Sequence, residues 1–216
     1  MRSKAMGLLA GACVAYFGST GLAAVSYSYV TDFASYNVSG GSATVNVYLQ
    51  ETLTGASVTQ IGASGASSGL DGAAFKVQLD SGNSAKLLDL AFNPAFDAGV
   101  PFNSKSVTST VASLTESTGF TSNGVGLNAD ARVFLGSITL GNDLGVGLTT
   151  FTVLPYNNDA GNIISRLGGG VMLDDPTPPA SAVFTAAVPE PVFFGMMGVI
   201  SGGLLLRRRT AEAELE

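Results

Sequence analysis

Histidine and tryptophan are absent from the 216-residue chain, and cysteine occurs once. The side chains left to do chemistry are carboxylates, tyrosines and hydroxyls. Without histidine, the Ser-His-Asp triad, the Cys-His dyad and the ordinary zinc site cannot be assembled. A glycoside hydrolase would need two carboxylates at a controlled separation, one with a raised pKa. Asp130, Asp159 and the pair Asp174-Asp175 are the candidates. Adjacent side chains on an extended segment point to opposite faces, and Asp174-Asp175 opens the proline-rich run Asp174–Pro179. The expectation is solvated loop charge, no catalytic residue and no enzyme.

Binding chemistry is sparse too. Asn157-Asn158-Asp159-Ala160-Gly161-Asn162 is rich in the oxygen donors that hard cations prefer. It lacks the Asp-x-Asp-x-Asp-Gly pattern, so a plain turn is expected, with no cofactor and calcium as the alternative. Gly168-Gly169-Gly170 is followed by no Lys-Ser/Thr and is not a phosphate loop. Tyr27, Tyr29, Tyr36, Tyr48 and Tyr156 are the candidates left for a carbohydrate platform, with Tyr27 and Tyr29 on one face of a strand, and core or edge packing is the equal alternative.

Charge narrows the partners. Lys+Arg 10 against Asp+Glu 16 gives −6, and residues 24–187 alone carry five bases and twelve acids. Phosphate affinity needs a basic surface, so nucleic acid is excluded as a general partner. With 46% hydrophobic and 12% charged residues the chain is not a charge-driven disordered one.

Strand signals position these residues. Val45, Val47 and Leu49 alternate with polar neighbours over 43–49, as do Phe75, Val77 and Leu79 over 73–79. Runs 132–140 and 148–154 are apolar and β-branched, and 25–33, 86–92, 171–173 and 182–185 are weaker candidates. Period-2 alternation between turn clusters reads as half-buried strands. Val107, Val111 and Leu114 have helical spacing, although the Ser and Thr between them favour strand or loop. Gly62–Gly69 reads as a flexible loop. The expectation is an all-β antiparallel sandwich over 24–173, then a Pro-rich linker over 174–187.

The ends read as addresses. Arg2 and Lys4, the apolar run Ala5–Phe17 and the small residues to Ala24 make a signal peptide, 1–23, cut after Ala23 or Ala24. Cys13 offers a lipoprotein alternative, and a buried N-terminal helix is the non-targeting one. At the other end, Val192–Leu206 is a 15-residue apolar run that spans only ~22 Å as a helix, short of a ~30 Å hydrocarbon core. Arg207, Arg208 and Arg209 hold the far side in the cytoplasm, leaving the domain outside. Pro189 and Pro191 keep the approach extended.

Pro189-Glu190-Pro191, the short glycine-containing span and the arginine cluster together resemble the PEP-CTERM sorting signal of Gram-negative, exopolysaccharide-producing bacteria. The resemblance covers 188–209; the acidic tail 210–216 departs from it. It implies that Pro189, Glu190 and Pro191 are recognised by exosortase, a membrane protease, during transit through the inner membrane. The protein then reaches the cell surface or an extracellular matrix, with exopolysaccharide or another surface protein as partner. An ordinary C-terminal anchor is the alternative. The middle resembles cohesin-like β-sandwiches, through Gly40–Val47, Leu70–Asp80, Ala85–Phe96 and Leu135–Leu140. This implies a jelly-roll sandwich and, as an alternative function, a carbohydrate- or protein-binding module.

Overall fold

The computed structural model describes residues 23–39, 41–119, 122–143, 145–157 and 160–190. The described residues form strands β1 (Ala24–Thr31), β2 (Ser35–Asn37), β3 (Ser42–Thr54), β4 (Leu70–Ser81), β5 (Ala85–Phe92), β6 (Ser104–Val107), β7 (Val111–Ser117), β8 (Arg132–Asn142), β9 (Gly147–Pro155), β10 (Ile163–Ser165), β11 (Val171–Met172) and β12 (Ala182–Val188). One sheet runs β1-β3-β8-β5. The other runs β6-β7-β4-β9-β12-β2, with β10 and β11 continuing beside the first residues of β4. This is the expected all-β sandwich. Its ladders are antiparallel except β12 with β2, which is parallel.

The alternation works as the pattern implies. Val45, Val47 and Leu49 meet Phe75, Val77, Leu114, Leu135, Ile138, Phe151 and Val153 in one core, each fully buried. Val107, Val111 and Leu114 belong to a β6–β7 hairpin, not a helix. Val107 faces Ala112 across it, and Thr108 closes the turn by bonding both backbone groups of Val111. That turn also fastens the sheets together, because Leu79 and Leu87 donate to Thr110 and Ser109.

Two expectations are corrected. The sandwich does not stop at 173. β12 lies between β9 and β2, and Phe184 and Ala186 are fully buried, with Phe184 stacked on Phe151 at 5.3 Å. Residues 174–187 are therefore no linker: the prolines end at 179, and alternation resumes at once. Gly62–Gly69 is not a free loop either. Gly65 and Gly124 exchange backbone bonds, and Gly69 donates to Ile61 at 2.7 Å. A Cβ on Gly69 would lie 2.5 Å from the Gly124 carbonyl carbon, so this glycine permits close chain contact as well as a positive φ of 85°.

The registers give the molecule two unlike ends. Val188 faces Gly147, and Ser42 faces Gly141, so the short turns at 82–84 and 143–146 share one end with the departing C-terminal strand. The long segments 55–69, 93–103, 118–131 and 156–181 lie at the other, as does Ala24. β4 has 12 residues, and at ~3.3 Å each it separates the ends by ~40 Å.

Ending the chain after Glu190 should leave the thermal midpoint unchanged. Ending it after Ser181 should abolish cooperative unfolding, and Phe184→Ala should cost about 3–5 kcal/mol. Circular dichroism melts and urea titrations read all three.

Candidate functional site

The long-loop end is built around Arg166, which follows β10. Its Nε donates to Asp71 Oδ1 at 2.8 Å, and its Nη2 to Thr118 Oγ1 at 2.6 Å and the Gly119 carbonyl at 3.0 Å. Nη1 donates to the Ser122 carbonyl. The backbone N–H of Arg166 donates to Gly69. One guanidinium thus ties the start of β4 to the segment after β7, with its side chain only 13% exposed. Thr118 donates to the same Asp71 oxygen at 2.6 Å. Asp97 brings in a further loop by accepting from Ser122 Oγ and the Gly119 N–H. The Ser122 hydroxyl, that N–H and the charge of Arg166 together hold the Asp97 carboxyl below its usual range.

Beside this network lies a cavity of about 470 Å³ lined by the polar residues Asp71, Arg166, Ser117 and Thr118 and by Ala66, Ala98 and Phe102. Asp71 Oδ1 is committed to Arg166 and Thr118, while Oδ2 has no hydrogen bond within the described residues. Phe102 is 56% exposed.

The carboxylates singled out in the sequence fall elsewhere. Asp174 is 2% exposed, not solvated. It accepts from the Gly161 and Asn162 N–H groups and from Asn162 Nδ2, pinning the loop to the end of β11. Such a carboxylate is already committed to structure. Asp175 and Asp130 are exposed, and Asp159 lies outside the described residues. The proposed calcium turn is closed on itself, Asn162 Oδ1 accepting from the Asn157 N–H at 2.9 Å. Among the described residues no three His, Cys, Asp or Glu side chains are placed to hold a metal. Glu51, unremarked in the sequence, is also buried and accepts from Thr59, Gln60, Ile61 and Tyr27.

Of the tyrosine platforms, Tyr29 is 1% exposed and donates to the Ala74 carbonyl; burial, then the charge of Asp174, raises its pKa. Tyr36 is buried edge-on to Phe184 and bonded to Asp32. Tyr27 is half-buried against Glu51, and Tyr48 packs on Phe134 at 5.5 Å. Only Tyr156 is exposed among the five, so packing, the alternative to a sugar platform, accounts for most of them: the shared face of Tyr27 and Tyr29 turns inward.

Glu116 is a buried acid of another kind. It sits on β7 facing the core, 3% exposed, with Oε2 accepting from the Asn93 N–H and Oε1 without a hydrogen bond among the described residues. Burial pushes its pKa up to about 9, against the opposing Asn93 bond, so it is neutral at pH 7.

Of the sorting residues, Pro189 and Glu190 are exposed directly after Val188, which is 7% exposed. All three line an open cleft with Ser39, Asn142, Asp143, Gly145 and Val146. Pro191, the span 192–206 and Arg207, Arg208 and Arg209 lie outside the described residues, as does the signal peptide up to residue 22. Ala23 is exposed and β1 begins at Ala24. No described helix is long and apolar enough to cross a membrane.

No family model and no curated protein matches the chain. Solved structures do. They include a chain of a type I cohesin–dockerin complex from Clostridium thermocellum, 12% identical, covering 76% of this chain and 99% of that one at a TM-score of 0.47. A type I cohesin from Pseudobacteroides cellulosolvens is 11% identical over 77% and 96%, at 0.46. The cohesin module of a family 33 glycoside hydrolase from Clostridium perfringens is 11% identical over 78% and 100%, at 0.45. These are cohesin-like sandwiches, and at such identities no partner or surface carries over.

Two outcomes are expected. A group with a raised folded pKa contributes stability that is full below its unfolded value, 4.5, and lost as pH rises toward about 9. Glu116→Gln should flatten that decline in urea titrations run from pH 5 to 9. Arg166→Ala should cost about 1.5–3 kcal/mol, the range for bonds to charged groups, and speed hydrogen exchange at 118–127 first.

Proposed function

We propose that the chain is an exported, non-enzymatic β-sandwich protein of the cell surface or extracellular matrix, delivered by an exosortase-type protease through its PEP-CTERM-like tail. The observation that carries this reading is the molecule's polarity. The tail leaves from the end of short turns, and the long loops with their cavity lie ~40 Å away, at the length of β4. A domain held at a bilayer by its C-terminus would present that loop end outward. β12 also ends at Val188, one residue before the motif, so cleavage beyond it removes nothing from the core.

The reading as a non-enzyme draws on the carboxylates. Asp174 and Glu51 are saturated by donors, and Glu116 has no second carboxylate bonded to it. The absence of histidine adds to this. A second reading, a cohesin-like module that binds a protein partner, is favoured by the outer face of the larger sheet. There Val111, Gln78, Thr152 and Val183 form one cross-strand row, with Val183 59% exposed.

Val100, 91% exposed in the loop before Phe102, supplies the test. A Val100→Cys variant should react on intact cells with a membrane-impermeant maleimide, and the intact mass of the native chain should end near residue 190. Alanine at Pro189, Glu190 and Pro191 should leave the mass extending to Glu216 and the protein in the membrane. A Val100→Cys variant that stays unlabelled would overturn export, and unchanged processing of the alanine variant would overturn the sorting motif.

A further inference from the structure

We propose that the cavity at the loop end binds a neutral sugar residue, with Asp71 as the hydroxyl acceptor and Phe102 as the apolar platform. This deepens the reading of that end as the presented, binding end, and it rests on that reading. About 470 Å³ is within the range of small-ligand pockets and admits one or two pyranose rings.

The polar side is rigid before any ligand arrives. Arg166 is clamped by Asp71, Thr118, Gly119 and Ser122, and Asp71 is aimed by Arg166 and Thr118. That leaves Oδ2 of Asp71, a residue of the cavity wall, as the acceptor with no hydrogen bond among the described residues. A carboxylate oxygen accepting from a hydroxyl forms one of the stronger neutral-ligand hydrogen bonds. Ser117 contributes a hydroxyl beside it. The same cavity is lined by Phe102, Ala98 and Ala66, and apolar side chains of this kind accept the C–H face of a pyranose. A ligand that is hydroxyl-bearing on one side and apolar on the other matches both.

Electrostatics exclude the acidic sugars. Arg166 is neutralised by Asp71, Asp97 adds a negative charge through Ser122 and Gly119, and residues 24–187 carry twelve acids against five bases. A uronate would bring a second carboxylate up to Asp71, and the one cation lining the cavity, Arg166, is already paired with that acid. An amine-bearing ligand, such as a lysine of a protein partner, would also be drawn to Asp71 and is the competing occupant that the test separates.

The test uses the full chain in a detergent without a sugar headgroup. Glucose, galactose, mannose, glucuronate, glucosamine and free lysine are titrated and followed by ligand-observed saturation-transfer NMR. At least one neutral hexose should bind with a dissociation constant of about 1 mM, and glucuronate should not. Phe102→Ala should weaken binding at least about fivefold and Asp71→Asn likewise, with Phe102→Ala leaving the melting temperature unchanged. Failure of every neutral hexose overturns the proposal, as does binding confined to glucosamine and lysine, or binding indifferent to both substitutions. Surface labelling of the Val100→Cys variant is independent of these titrations, so a failed sugar screen alongside successful labelling removes the ligand and leaves the exported module standing.

Discussion

The insertion of β12 between β9 and β2 is the constraint on which the rest depends. Phe184 stacks on Phe151 and meets Tyr36 edge-on, so the last strand joins the middle of a sheet and the beginning of the chain. Thr185 pairs with Ser35, about as far apart in sequence as this domain allows. Such a sheet cannot close locally, because loop closure is costly until the final residues arrive. The same strand sets the exit of the tail and hence which loops face away from it. Fold completion and molecular orientation are consequences of one pairing.

At the opposite end the organising interaction is ionic. An arginine side chain only 13% exposed is costly to desolvate unless its donors are paired, and here Asp71, Thr118, Gly119 and Ser122 accept from four of its five N–H groups. The network freezes loops that glycine content would otherwise leave loose. It does so without a disulfide: Cys13, the one cysteine, belongs to the leader in the sequence reading. Close glycine contacts at Gly69 and Gly124, buried Asp174 and buried Glu51 do the remaining pinning. Each device satisfies backbone donors inside a loop, the task that regular strands perform for themselves.

Much of the architecture is legible from alternation, because β3, β4, β8 and β9 are long enough to show period 2. β2 and β10 have three residues each and show no period at all. β12 is short and follows prolines, so 182–185 gives only a weak strand signal inside a linker-like run until Phe184 finds Phe151. The loop-end site is less legible still. Arg166 and Asp71 lie 95 positions apart and meet only through the fold. One signal exists: Arg166 is the only base between Arg132 and Arg207, next to the apolar run Ile163-Ile164. A lone cation beside buried residues must find acids, although nothing local says which. The tyrosines mislead for the converse reason, since their spacing is the same whether the strand face turns inward or outward.

In the proposed reading, export makes the two constraints bear on each other. A chain crossing a membrane from its N-terminus delivers β1 first and β12 last, so the larger sheet stays open until Val188 has emerged. In the proposed reading the next segment to arrive is the short span that stalls in the bilayer. Only the three residues 189–191 separate the fold from it, ~10 Å of extended chain. A protease that needed several residues upstream of Pro189 would have to work before β12 docks, or peel it away from Phe151 and Tyr36. One that reads the tripeptide itself would meet it beside a finished sandwich, exposed at Pro189 and Glu190. The buried Val188 therefore divides the chain physically, into a part that the core protects and a part left free for handling.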